Sequence, residues 1–262
     1  MDLNYEVHGV GDPIVMIHSP GVDMREWTYI VPYLSQTNQV VIFDVRGAGN
    51  SPAPISPSNF VDDLRKLLDH LGINTATLVG HSMGGQIATD FTLTFPSRVK
   101  QLVLIAPSLT GFQYSREFTE WMEQVNAAAP NIKKLANLSL SGPNYSVTMS
   151  SKQKDFLYEM TIHYMTKVFS EWENFEIIWP VPHAIDRLHE IKVPLLFIQG
   201  DKEWSDLSRI ADHFKKVKLV HFFMIKGADH MLTLTHPKEI AYEIMLFLQK
   251  GLSKDATYKR NK

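Results

Sequence analysis

The 262-residue sequence contains no cysteine, and this absence excludes several kinds of chemistry. It rules out a disulfide framework, a cysteine-ligated zinc or iron–sulfur site, and a thiol nucleophile. Any covalent catalysis must therefore use a hydroxyl, carboxylate, amine or imidazole side chain. The missing thiols leave the compartment open, because such a chain is compatible with any redox state.

Long apolar runs and an excess of one charge are missing as well. No apolar stretch approaches the roughly 20 residues that a helix needs to cross a bilayer. The net charge of -2 carries no electrostatic signature of nucleic-acid binding. The N-terminus lacks the basic and then apolar segments of a signal peptide. We expect a soluble, cytoplasmic protein with neither a membrane nor a nucleic-acid partner.

Short apolar runs rich in valine and isoleucine alternate with amphipathic segments in the first and last thirds of the chain. Such runs, without clean polar alternation, are typical of parallel strands covered on both faces. Their alternation with helices predicts βαβ units, and hence an α/β fold with a mostly parallel, doubly wound sheet. The predicted strands are residues 13–18, 39–44, 76–80, 99–105, 193–199 and 218–225.

Helical patterns dominate the middle of the chain, where the alternation stops. The predicted helices are residues 59–71, 117–125, 152–168, 206–214 and 237–250. Ser58 is the expected N-cap of the first helix. We predict a core of residues 1–107 and 191–250, an inserted helical lid of residues 108–190, and a polar C-terminal tail of residues 251–262.

The most informative motif is Gly80-His81-Ser82-Met83-Gly84, which lies between a predicted strand and a predicted helix. This Gly-x-Ser-x-Gly pattern is typical of a nucleophile elbow, a turn so tight that only small side chains fit near the serine. The pattern alone is weak, since it also fits an N-capping serine that arises by chance. The strand–turn–helix context favours Ser82 as a nucleophile at a helix N-terminus, where negative charge is stabilised.

A serine hydroxyl needs a base and an acid that orients the base. His230 is the candidate base, because it follows the last predicted strand and would lie at the carboxyl edge of the sheet. Glu203, in the loop after the preceding strand, is the candidate acid, with Asp206 second and Asp201 third. Asp206 also fits as the first-turn acid of the next helix, with Ser205 as N-cap, whereas Glu203 has no competing explanation.

Acyl transfer also needs N–H donors for the oxyanion. One should be the backbone N–H of Met83, and the other should come from the loop at residues 18–23. The candidate substrate-contacting residues are Trp27, just after this loop, and His81, beside the serine. For His81, packing or a local hydrogen bond is the stronger expectation. Large apolar residues in the insertion favour a partly apolar substrate.

These motifs resemble those of the α/β-hydrolase superfamily over nearly the whole chain. Residues 44–51 match its Asp-x-Arg-Gly-x-Gly-x-Ser loop, and residues 227–230 and 236–239 match its histidine loop and final helix. The resemblance implies the α/β-hydrolase fold with a lid, and is closest to small capped esterases, lactonases and carbon–carbon-bond hydrolases. Members with other chemistries carry aspartate at the elbow, so Ser82 implies an acyl-enzyme route.

Two positions depart from the pattern of this family. Its oxyanion loop has His-Gly, and the donor N–H lies two residues after the histidine. Residues 18–20 of this chain are His-Ser-Pro, and proline has no N–H. Either Gly21 or Val22 donates instead, with Gly21 as the candidate, or the oxyanion hole is incomplete. At the second position, Glu203 replaces the usual aspartate.

The sequence therefore predicts a serine hydrolase that cleaves a carboxylic ester, lactone or thioester through an acyl-enzyme on Ser82. One alternative is a ligand-binding sensor with slow turnover, which the proline of the oxyanion loop favours. Another is a carbon–carbon-bond hydrolase with the same triad. We expect no cofactor, no metal and a small-molecule substrate, and the chain to be a monomer or homodimer.

Overall fold

The structure is a computed structural model that describes residues 1–250. Its strands are β1 (Tyr5–His8), β2 (Asp12–Ile17), β3 (Asn38–Phe43), β4 (Ala76–His81), β5 (Val99–Ile105), β6 (Leu195–Gly200) and β7 (Val220–Ile225). Its α-helices are α1 (Val31–Leu34), α2 (Phe60–His70), α3 (Met83–Thr94), α4 (Arg116–Asn126), α5 (Ile132–Ser139), α6 (Ser146–Met149), α7 (Lys154–Glu171), α8 (Ala184–Arg187), α9 (Ser205–Phe214), α10 (Leu232–Thr235) and α11 (Pro237–Lys250). The polar tail predicted for residues 251–262 lies outside the described residues.

The seven strands form one sheet in the order β1-β3-β2-β4-β5-β6-β7. Within it β1 pairs antiparallel with β3, and the other neighbouring pairs are parallel. Every residue of β4 and of β6 is buried, so both faces of the sheet are covered, because successive side chains point to opposite faces. The predicted α/β fold with a mostly parallel sheet is confirmed.

The order of the strands determines where a ligand site can form. Because β3 lies on one side of β2 and β4 lies on the other, the carboxyl ends of β2 and β4 form the topological switch point of the sheet. Open α/β sheets bind ligands in the crevice at this point. Ser82 directly follows β4, and the loop at residues 18–23 follows β2.

Three local predictions differ from the structure. The sequence analysis missed β1, a half-exposed edge strand of four residues that is too short to show a clear pattern. Ser58 is not the N-cap of α2, because the helix begins at Phe60 and the side chain of Asn59 accepts the N–H of Asp62 at 2.9 Å. Ser205 is not the N-cap of α9 either, since it is the first helical residue.

The helices α4 to α8 all lie between β5 and β6 along the chain, and residues of α4, α5 and α7 line the same cavity as Ser82. The buried side chain of Lys167 in α7 donates to the carbonyl oxygens of Gly49 at 2.8 Å and Ser51 at 2.6 Å. A separate apolar cluster joins this insertion to the loops around Ser82. Its buried members are Val22, Leu140, Leu157, Met160, Met231 and Leu234. That the insertion acts as a lid stays a prediction.

Asp90 of α3 lies where the two ends of the insertion meet. The Thr110 hydroxyl donates to both oxygens of its carboxyl group at 3.0 Å, and the N–H of Ala184 donates to the same hydroxyl at 3.0 Å. Burial raises the pKa of Asp90 to about 7, and the hydrogen bond from Thr110 offsets this only in part. Between about pH 4 and pH 7, Asp90 is therefore protonated in the folded protein and ionised in the unfolded chain.

We expect Asp90→Asn to stabilise the fold more at pH 8 than at pH 5. A raised carboxyl pKa means that stability is lost as the pH rises from about 4 to about 7, and the amide cannot ionise. Each pKa unit corresponds to about 1.4 kcal/mol, so the gain at pH 8 is at most about 4 kcal/mol. Urea unfolding at the two pH values measures it. An equal gain at both would show that Asp90 does not titrate as described.

Among residues 1–250, no helix has both the length and the apolarity needed to cross a bilayer.

Candidate active site

Ser82 occupies a sharp turn between β4 and α3. Its backbone is left-handed, with φ of 52° and ψ of -116°, which is a strained conformation for a residue with a side chain. The turn also requires two glycines. A Cβ on Gly80 would collide with the carbonyl of Gly84, and a Cβ on Gly84 would collide with the carbonyl of Ile17. The spacing of the motif is thus a packing requirement of the turn.

Ser82, His230 and Glu203 form a continuous hydrogen-bonded chain. The Nε2 atom of His230 lies 3.1 Å from the Oγ atom of Ser82. Its Nδ1 atom lies 3.0 Å and 3.2 Å from the two carboxylate oxygens of Glu203. Burial opposes the charged imidazolium, but the nearby charge of Glu203 and its hydrogen bond outweigh burial, so the pKa of His230 is raised. This is the geometry of a nucleophile, a base and an orienting acid.

The other two candidate acids are held elsewhere. The carboxylate of Asp206 accepts hydrogen bonds from the N–H and, at 2.6 Å, the hydroxyl of Ser115, and pairs with Arg209. It therefore anchors the start of α4. Asp201 is exposed and accepts the N–H of Gly227 at 2.7 Å. Of the three acids, the structure brings only Glu203 into contact with His230.

The structure shows which backbone N–H groups near Ser82 are already engaged. The N–H of Ser19 already donates to Glu26 at 2.8 Å, so it cannot serve. Gly21 adopts a φ of +79° and lines the same cavity as Ser82. Met83 is the first residue of α3, where backbone N–H groups have no partner within the helix. The roles of Gly21 and Met83 as oxyanion donors stay predictions.

A cavity of about 300 Å³ opens over Ser82, His230 and Glu203. Its walls are mainly apolar and aromatic side chains from the insertion and from α9. No lysine or arginine is among the described residues that line it. The prominent aromatic side chains are Tyr114, Phe118, Trp121, Tyr145 and Trp204.

Neither predicted substrate-contacting residue reaches this cavity. Trp27 is fully buried among the side chains of the main apolar core. His81 is fully buried as well, with its ring bound to Glu26 and to the carbonyl of His230. Both are absent from the cavity lining, so their assignment to substrate contact is corrected. The local hydrogen bonding expected of His81 is what the structure has.

The sequence analysis missed Glu26, a fully buried acid directly below the site. It receives hydrogen bonds from Ser19 and Thr233 and pairs with His81. Its sequence context did not indicate this position, because Glu26 follows other charged residues in a segment with the composition of an exposed surface. Its burial is a property of the tertiary structure alone.

Three residues of the cavity wall carry a buried polar atom with no hydrogen-bond partner in the described part of the chain. They are the indole nitrogens of Trp121 and Trp204 and the side-chain oxygen of Asn144. A buried polar group left unpaired costs about 1–3 kcal/mol. These three atoms are themselves buried, so they do not face the open cavity. Within residues 1–250, no cluster of three or more acids or histidines is arranged to hold a metal ion.

Comparisons with known proteins agree with the fold. A family model for the alpha/beta hydrolase fold matches residues 12–237, and the chain belongs to that family. The Abhydrolase domain-containing protein abhd-5.2 of Caenorhabditis elegans is 26% identical over 248 residues, which are 83% of this chain and 54% of that protein. The chain therefore spans about half the length of this relative.

Two further relatives are similar over most of this chain. The (Lyso)-N-acylphosphatidylethanolamine lipase of Homo sapiens is 28% identical over 264 residues, covering 86% of this chain and 75% of that protein. The crystal structure of the enol-lactonase from Burkholderia xenovorans LB400 matches with a TM-score of 0.77 at 20% identity, covering 94% of this chain and 96% of that one. The structural likeness shows the shared fold.

Proposed function

We propose that this protein is a serine hydrolase that cleaves a carboxylic ester, lactone or thioester through an acyl-enzyme on Ser82. The observation that carries the proposal is the hydrogen-bonded chain from the Ser82 hydroxyl through His230 to Glu203 at the floor of a cavity. A serine on a strained elbow, with an imidazole in reach and a carboxylate behind it, is suited to attack a carbonyl carbon.

The reaction follows from the positions of the three side chains. The Nε2 atom of His230 takes the proton of Ser82 as the serine oxygen bonds to the carbonyl carbon. The N–H groups of Met83 and Gly21 would hold the resulting oxyanion. The bond to the leaving group breaks, and His230 gives its proton to that group. Water then attacks the acyl carbon, again with His230 as base. The bond between the acyl carbon and the Ser82 oxygen breaks, the carboxylic acid leaves, and His230 returns the proton to Ser82.

The cavity favours a small, uncharged and mostly apolar acyl group. Its volume of about 300 Å³ is at the lower end of ligand pockets, which span about 300–1,000 Å³.

Labelling with a fluorophosphonate, followed by a panel of esters, thioesters and lactones, tests the proposal. We expect stoichiometric labelling of Ser82 and turnover of at least one ester with a medium-length acyl chain. Absence of labelling would contradict a nucleophilic Ser82. Rapid labelling with tight binding and very slow turnover would instead favour a ligand sensor, which the engaged N–H of Ser19 and the missing N–H of Pro20 support.

A further inference from the structure

The buried carboxylate of Glu26 contacts three separate parts of the site. One oxygen accepts the N–H and the hydroxyl of Ser19, at 2.8 Å and 3.2 Å, in the oxyanion loop. The other accepts the hydroxyl of Thr233 at 2.8 Å, three residues after His230, and pairs with Nδ1 of His81. A single side chain thus joins the loop after β2, the end of β4 and the segment after β7.

His81 extends these contacts to the main chain of His230. Its Nε2 atom lies 2.8 Å from the carbonyl oxygen of His230. A carbonyl oxygen can only accept, so Nε2 must carry a hydrogen. The Nδ1 atom of the same ring is hydrogen-bonded to Glu26, so the two side chains form a buried pair.

The electrostatics agree with this geometry. Burial opposes ionisation of Glu26, but the charge of His81 and the hydrogen bonds from His81 and Ser19 hold the pKa of Glu26 down to about 2. Both side chains are fully buried. A buried ion pair adds little net stability compared with apolar residues of similar size. What it supplies here is directed hydrogen bonds to backbone groups that apolar side chains would leave unpaired.

We propose that Glu26 and His81 are positioning residues, which hold the backbone of His230 and the oxyanion loop in register with Ser82. This inference rests on the proposed hydrolase function. Neither side chain lines the cavity, so both act through the residues they hold. Loss of either would let the imidazole and the oxyanion loop shift while the substrate cavity keeps its shape.

Kinetics of Glu26→Gln, His81→Gln and the double variant test the inference. We expect each single change to lower kcat about 10- to 100-fold, because displacements of about 1 Å cost up to about 100-fold, with KM within about twofold. Since the residues act as a unit, the double variant should be no slower than the slower single one. Asp90→Asn is the matched control, another buried acid changed to its amide, and its kcat should stay within about twofold.

The outcomes separate this inference from the proposed function. If the unmodified protein is not labelled by the fluorophosphonate, the proposed function fails. If it is labelled and active, but the kcat of Glu26→Gln equals that of Asp90→Asn, the proposed function stands and only the positioning role fails. Additive losses in the double variant would also overturn it. Should Glu26→Gln not fold, Thr233→Val removes one hydrogen bond to Glu26 and is expected to lower kcat about threefold to tenfold, again without changing KM.

Discussion

Replacing Ser82 with alanine is expected to lower the turnover of short p-nitrophenyl esters by at least about 10⁴-fold. The hydroxyl is the only group at the elbow positioned to attack, since His230 Nε2 lies 3.1 Å from it and Glu203 lies behind the imidazole. The residual rate acceleration would come from substrate binding and from the oxyanion donors. Initial rates at saturating ester, with protein purified free of host esterases, provide the measurement.

The Ser82→Ala protein should stay folded. The Ser82 side chain does not cap α3, and the strained turn depends on Gly80 and Gly84 and not on the hydroxyl. Its melting temperature should therefore lie within a few degrees of the unmodified protein. Ser97→Ala, at an exposed serine, is the control. Unchanged ester turnover in Ser82→Ala would contradict the acyl-enzyme mechanism.

Glu203→Gln is expected to lower kcat by about 10³-fold or more. The amide keeps the shape of the side chain but loses the charge that stabilises the imidazolium, and it can hold the imidazole in the wrong tautomer. Asp206→Asn is the matched comparison three residues away, and should cost less than about tenfold. Its carboxylate binds Ser115 and Arg209, so we expect the main effect of the change to be a lower melting temperature, with a smaller effect on kcat. The reverse order of kcat losses would transfer the acid role to Asp206.

Glu203→Gln should also change the pH dependence of kcat/KM. The charges of Glu203, Glu26 and Asp229, together with the hydrogen bond to Glu203, raise the pKa of the His230 imidazole against the effect of burial. The base is active only when neutral, so kcat/KM should rise with pH as His230 loses its proton. Removing the charge of Glu203 lowers that pKa, so the acid limb of the profile should move to lower pH. An unmoved limb would mean that another group controls it.

Much of the fold could be predicted because its signals are local. Runs of valine and isoleucine predicted the six strands of the parallel array, since strands covered on both faces need apolar side chains at every position. The two glycines around Ser82 predicted the elbow, because only glycine avoids the collisions of that turn. The edge strand β1 escaped prediction because half-exposed short strands need no such composition.

The choice of the candidate acid shows what position in the sequence can and cannot predict. Glu203, Asp206 and Asp201 all follow β6 within a few residues. Glu203 was favoured by the absence of a competing role and by its match to the position of the usual aspartate in the family. The structure separates them by the direction of each side chain: toward His230, toward Ser115 and toward Gly227. For Trp27, position in the sequence gave the wrong prediction. Its nearness to the oxyanion loop does not indicate whether its side chain points into the cleft or into the core.

The sequence by itself determined the fold class and the candidates for the chemistry. With no cysteine, one well-placed serine and a histidine after the last strand, it restricted the candidate nucleophile and base to Ser82 and His230. Only the tertiary structure decided what surrounds them: the contact of Glu203 with His230, the cavity formed by the insertion, and the buried pair of Glu26 and His81. The reason is physical. Backbone turns and strand composition are set by neighbouring residues, whereas burial and the pairing of charges depend on segments up to 207 residues apart.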